Sequence, residues 1–388
     1  MHLRPRDGSE QQTTAVELLF DLVYVFAITQ LSHLLIGHLD VSGAAHTAFL
    51  LLVVWWAWIY TTWMVNWFDP ASLRVRLVLV GATLASLLMS AAIPTAFGAN
   101  ALLFAGAYVA MQVGRNVAAA SLLSREHALR LTFERISCWS LFTGALWIAG
   151  ALAPSGARIP IWAVALALDL LAPLAGYWTP GLGRSETDDY PVEGGHFAER
   201  FQSFLIIALG ESIVVTGATA SAKGLDTPVV AALASAFLGT AALWWLYFGE
   251  VAEHSRRYLA DADDSGALAR DAYSYLHLPI VAGIIMVAVG DDLLIADPGG
   301  ALSGAGIVMM VGGPAVYLAG ETLFRVRMIG SVNPKRLAAI AALGVLGLLA
   351  GAGAVSAFLV SCAVAVLLSA LALWEYSAPP ASSAGAQR

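Results

Sequence analysis

Apolar residues run in blocks of about 20 along nearly the whole chain, separated by short polar breaks. A helix needs roughly that length to cross the hydrocarbon layer of a bilayer. The pattern predicts twelve spans, at 15–38, 43–68, 74–94, 98–123, 129–153, 158–178, 196–218, 227–252, 268–295, 301–325, 335–352 and 354–375. The longest breaks, 179–195 and 253–267, are acidic and contain glycine, whereas little more than Gly351 and Gly353 separates the last two spans. The N-terminal stretch is polar and the first apolar run is long enough to span, so no cleavable leader is expected. The tail SAPPASSAGAQR is expected to be disordered.

Two of the apolar blocks carry acids. VELLFDLVYVFAITQLSHLL at 16–35 holds Glu17 and Asp21, and HFAERFQSFLIIALGESIVV at 196–215 holds Glu199, Arg200 and Glu211. Glu199 and Glu211 are twelve residues apart, roughly 18 Å along a helix axis. A charge inside a span costs about 2.5–3.5 kcal/mol on insertion scales, which makes such a group a functional candidate.

The two blocks share a layout, with Glu17 matching Glu199. WWAWIYTTW from Trp55 in span two is matched by WWLYFGE from Trp244 in span eight. Tyr108, Gln112 and Asn116 in span four are matched by Tyr317, Glu321 and Arg325 in span ten, at the same four-residue steps. The matches keep one order in both halves, which predicts two six-span repeats of the same orientation. The expected fold is an all-α membrane protein of about twelve transmembrane helices in two parallel six-helix repeats. Its expected divisions are a cytoplasmic segment 1–14, repeat one at 15–178, a cytoplasmic linker 179–195, repeat two at 196–375 and a tail 376–388.

Composition narrows the class. The 388 residues are 59% hydrophobic and 12% charged, with mean hydropathy +0.75, whereas soluble domains carry about 25% charged residues. Cys138 and Cys362 fall inside spans and suggest neither a disulfide framework nor a metal cluster. Basic residues set the orientation. With the N-terminus inside, the cytoplasmic segments and span ends hold sixteen Lys and Arg, and the outside holds only Arg158 and Lys223. That is a strong positive-inside bias, and it places both termini in the cytoplasm.

Depth sorts the polar candidates. Glu17, Asp21, Glu199, Arg200, Gln112, Glu321 and Arg325 gather toward the cytoplasmic ends of their spans. Asp169 is eleven residues from Arg158, about 16 Å along the axis and near the midplane. Glu211 is also deep, and Asp291 and Asp292 lie near the outer end of span nine. Structural alternatives stand beside each candidate. Thr14-Ala15-Val16-Glu17 has capping-box spacing, Glu321 and Arg325 form an i,i+4 pair, and the tryptophans suit packing. His196 with Glu199, or His254 with Glu250, has a spacing that suits a metal, but both pairs sit at the aqueous boundary and no metal or cofactor is expected. Glu199 and Asp169, like Glu211, resist a purely structural account; a deep carboxylate without a cation is expected to be uncharged and suited to proton binding and release.

ELLFDLVYVFAITQLSH at 17–33, HFAERFQSFLIIALGESIV at 196–214, WWLYF at 244–248 and HLPIVAGIIMVAVGD at 277–291 together resemble the bacterial low-temperature-requirement A (LtrA) family. Leu19-Phe20 stands where the family carries an aromatic pair before its aspartate. The resemblance implies a multi-pass inner-membrane protein and places Glu17, Asp21, Glu199, Arg200, Glu211, Ser212, His277, Pro279 and Gly283 in family motifs. It implies no particular reaction.

Repeats plus deep carboxylates favour a proton-coupled secondary transporter or permease. The expected partners are then the lipid bilayer, protons and an unidentified small-molecule or lipid substrate, not nucleic acid. A membrane-embedded or lipid-modifying enzyme with a cytoplasm-facing carboxylate and His pocket is the alternative, although no nucleotide loop, HExxH or GxSxG motif is present. A membrane sensor or scaffold is the third. The orientation is open to direct measurement: with the native cysteines removed, Lys223→Cys should react with an impermeant maleimide from outside and Arg256→Cys only after the cytoplasmic face is exposed. The reverse pattern overturns the orientation.

Overall fold

The computed structural model describes residues 2–6, 11–124, 127–260, 262–353 and 355–377, without the side chains at 188, 250, 251, 253 and 254. Arg125 and Arg388, both part of the basic-residue balance, and nearly all of the 376–388 tail lie outside the described residues.

The apolar blocks form helices because an apolar environment leaves backbone N–H and C=O groups no partner but one another. In order they are α1 (Ala15–Gly37), α2 (Val41–Trp67), α3 (Leu73–Ala92), α4 (Ala101–Leu122), α5 (Ala128–Leu152) and α6 (Ser155–Leu171). There follow α7 (Gly194–Lys223), α8 (Thr227–Leu246), α9 (Ala252–Ala260), α10 (Ser265–Leu268) and α11 (His277–Ala296). The last four are α12 (Gly304–Ile307), α13 (Gly313–Ile329), α14 (Pro334–Ala352) and α15 (Ala357–Tyr376). Three π-helical stretches, Tyr247–Val251, Ala269–Tyr275 and Val308–Gly312, carry the chain from α8 to α9, α10 to α11 and α12 to α13. Among the described residues, ten helical segments are long and apolar enough to cross a membrane. The caps are those the sequence supplies: Asp40 accepts from Gly43 N–H at 2.7 Å, Asp226 from Val229 N–H at 3.0 Å, and Pro334 opens α14 where its missing donor is harmless.

The chain divides into two compact units, Met1–Ala208 with Arg256–Leu278, and Leu209–Ser255 with Pro279–Arg388. In the first, chain neighbours pack antiparallel. Asn116 of α4 meets Ser140 of α5 at 3.0 Å, and Trp162 of α6 donates to the Trp147 carbonyl of α5 at 2.8 Å; α1 also packs on α3, two helices on, where Tyr24 meets Ser86 at 3.1 Å. The first half of α7 instead runs parallel to α1. Glu17 meets His196 and Asp21 meets Arg200, both pairs 179 residues apart.

In the second unit, α11 and α13 approach so closely that glycine is required. A Cβ at Gly283 would lie 2.6 Å from Tyr317 N, at Gly290 2.9 Å from Met310 N, at Gly313 2.9 Å from Val287 N and at Gly320 2.9 Å from Ile280 N. The four pairs keep a constant sum of residue numbers, the mark of an antiparallel pair zipped through small residues. Gly283→Ala should therefore lower the stability of the detergent-purified protein by about 1–3 kcal/mol, the usual range for forcing a methyl into packed space. Gly344→Ala, where nothing lies within 4 Å of the added carbon, should leave the melting temperature equal or higher. Equal melting of both variants would contradict the close packing.

Candidate functional site

Within the first unit, α1 and α7 are joined by a ladder of buried polar rungs. Glu17 forms the first. Its Oε2 accepts from Thr14 N–H at 2.7 Å, closing the cap that the Thr-x-x-Glu spacing predicts, and lies 3.0 Å from Arg4 Nη2. Its Oε1 lies 2.8 Å from His196 Nε2. Asn66 Nδ2 is 3.2 Å from His196 Nδ1, and Asn66 Oδ1 accepts from Glu193 N–H at 2.8 Å. An amide NH2 can only donate, so Nδ1 is the acceptor there, while Nε2 also lies 3.1 Å from Arg4 Nη2. The second rung is Asp21, held by Arg200 through both guanidinium NH2 groups at 2.5 and 2.6 Å and by Trp58 Nε1 at 2.8 Å. Such a two-pronged pair is the strongest geometry a carboxylate has available. Tyr24 over Phe204, centroids 6.3 Å apart, is the third rung and closes the ladder with apolar area.

A second polar chain climbs the same unit. The Asp169 carboxylate accepts from Tyr108 OH at 2.9 Å and Trp147 Nε1 at 3.0 Å, both neutral donors. Gln112 Nε2 donates to Tyr108 OH at 3.1 Å, and Arg115 donates to Gln112 Oε1 and to Thr61 Oγ1, the latter at 3.0 Å. The α4 helix sets this order, since residues 108, 112 and 115 share one face. Along its own helix Asp169 stands nearer the end than the sequence spacing implies, two residues before α6 closes. Its partners sit inside α4 and α5. Next to it lies a cleft lined by Trp56, Tyr60, Trp63, Tyr177, Tyr190 and Arg270 among others. Trp56 Nε1, from the cleft wall, donates to the Asp169 backbone carbonyl at 3.1 Å.

In the second unit Arg336 of α14 gathers two acids, Glu321 at 2.8 Å and Glu375 at 2.9 Å, and also donates to the Leu246 carbonyl at 3.1 Å. Glu321, expected to pair with Arg325 at i,i+4, thus takes an ion-pair partner from another helix.

The candidates read from sequence therefore fall into separate groups. Glu17, Asp21 and Arg200 come together. Asp169 and Gln112 meet through Tyr108. Glu199 is half-buried and accepts from Thr13 N–H at 3.2 Å, apart from Arg200. Glu211 is fully buried in the second half of α7. His277 is packed among aromatic rings, stacked on Tyr273 at 5.1 Å and edge-on to Phe201 at 4.9 Å, with Nδ1 near the Ala272 carbonyl. His196 serves Glu17; the Glu250 and His254 pair lies outside the described side chains. Among the described residues no group of three or more His, Cys, Asp or Glu could hold a metal. Arg4 and Arg336 were counted in the sequence only for orientation. The signal for Arg336 was Glu375, an acid at the end of an otherwise apolar helix; Arg4 had none.

Comparison with known proteins agrees with the residue motifs. The family model for the bacterial low temperature requirement A protein (LtrA) matches residues 12–373. An uncharacterized protein of Rhizobium meliloti (strain 1021), RA0937, is 35% identical over 380 residues, covering 97% of this chain and 92% of the relative. No solved structure matches. The chain belongs to the bacterial low-temperature-requirement A family, a multi-pass membrane protein by its apolar helices.

Proposed function

We propose that the protein is a proton-coupled secondary transporter, with Asp169 as its proton-binding carboxylate and the adjoining aromatic cleft as its substrate vestibule. The observation that carries this reading is that Asp169 is buried with Tyr108 and Trp147, uncharged donors, as the partners of its carboxylate. A carboxylate in a low-dielectric site with neutral donors changes its charge readily with hydration. Glu17 and Asp21 are each paired with a guanidinium group, which suits anchoring. Glu199 and Glu211 are secondary candidates on α7. The chain from Asp169 through Tyr108 and Gln112 to Arg115 leads along α4 toward the end that the basic residues assign to the cytoplasm.

In this reading α4 and α6 also cross the bilayer, giving twelve spans with both termini cytoplasmic. The parallel run of α1 and α7 supports two repeats of the same orientation, since five intervening helices return the chain to its starting side. The cleft is aromatic, and its one guanidinium, Arg270, is already paired with Asp271 at 2.8 Å, so it favours a substrate with a flat or apolar body.

Two substitutions separate coupling from folding. Asp169→Asn keeps shape and accepts the same hydrogen bonds through its amide oxygen, so it should reach normal membrane levels yet fail to complement a deletion strain at any external pH. Asp21→Asn leaves the buried Arg200 without a counter-charge and should cost about 3–5 kcal/mol of stability, seen as reduced membrane level and melting temperature. Full complementation by Asp169→Asn across the pH range would defeat the proton-coupled reading.

A further inference from the structure

Four helices of the second unit surround a cavity of about 20 Å3, room for one water-sized particle. Its walls include Ser235 and Gly239 of α8, Asp291 of α11, Met310 and Pro314 from the α12–α13 segment, and Ser361 of α15. Asp291 is buried, and its Oδ2 accepts from Ser212 Oγ at 2.9 Å; Ser212 Oγ in turn lies 3.2 Å from Thr240 Oγ1. Ser235 and Ser361 share a hydrogen bond at 2.7 Å. Among the described residues no basic side chain pairs with Asp291, and no other charged group acts on it. The neighbouring Asp292 is engaged separately, by Thr219.

We infer that this cavity is a binding site for a single dehydrated monovalent cation, with sodium as the natural probe. A buried carboxylate is tolerated when a positive charge compensates it, and the protein supplies none here. The donor set is a carboxylate with hydroxyl oxygens, which suits hard cations and not the thiol- or imidazole-seeking metals. One carboxylate balances one positive charge; a divalent ion would leave net charge buried. The volume excludes an organic ammonium and requires the ion to leave its water behind, so the wall oxygens must replace that water. The π-helical stretch Val308–Gly312, which contributes Met310, departs from the i→i−4 pattern, as helices often do at binding sites. Ser212 and Thr240 also line a neighbouring cleft of about 390 Å3, which gives the ion a hydroxyl-bearing approach.

This inference concerns binding and stands whether or not the chain transports. The test is the melting temperature of the full-length, detergent-purified protein in sodium, lithium, potassium or choline chloride at constant ionic strength and two pH values. A saturable rise with an alkali cation over choline is expected, absent in Asp291→Asn. Ser361→Ala and Ser235→Ala retain the carboxylate and should raise the half-saturating sodium concentration about ten-fold; they serve if Asp291→Asn fails to fold. Equal melting in sodium and choline overturns the site, as does a sodium effect unchanged by these substitutions. A response to pH alone also overturns it, because the ligand would then be a proton.

Discussion

Charge cannot be left unbalanced among apolar helices, and this constraint organises the first unit. Asp21 sits fully buried in α1, and the Arg200 guanidinium that answers it comes from α7. A bidentate pair fixes distance, rotation and axial height together. With Asp21 and Arg200 joined, Glu17 is brought level with His196 and Tyr24 with Phe204, one helical turn to either side. Trp58 of α2 donates into the same pair, so a third helix takes its height from it. Removing either member would expose the other to the full cost of a lone buried charge, and the three helices would lose their common reference.

Asp169 and Asp291 depart from this pattern. Each accepts from hydroxyl or indole donors, and neither is met by a guanidinium among the described residues. Such donors stabilise a carboxylate less than a full counter-charge does. The protein thus keeps two kinds of buried acid: those paired with a guanidinium, and those met by neutral donors, on which the proposed proton and cation sites rest. That contrast, more than the number of acids, separates scaffold from site.

Much of the fold was legible in the sequence because a membrane helix is specified locally. Length, hydropathy and caps such as Asp40 and Asp226 mark its bounds without reference to the rest of the chain. The Glu17 cap was visible for the same reason, as it needs only Thr14 three residues earlier. Partners were not visible, because pairing is decided across the chain. Glu321 has Arg325 one turn away, yet Arg336 reaches it from another helix. Arg4 lies in a polar stretch that reads as a solvated end, and the glycine zipper of α11 and α13 appears only when both helices are set side by side. The π-helical stretches leave no periodic signal long enough to detect.

The 179 residues between Asp21 and Arg200 also have a meaning in time. Translation at about 5–20 residues per second puts roughly 10–40 s between the appearance of the acid and that of its guanidinium. Glu17 finds Arg4 within its own segment during that interval, but Asp21 does not find Arg200. The first helix is therefore committed to the bilayer with an open account of charge that only the start of the second half closes. A chain stopped before residue 200 would leave Asp21 buried without its guanidinium, at the cost of a lone charge among apolar helices.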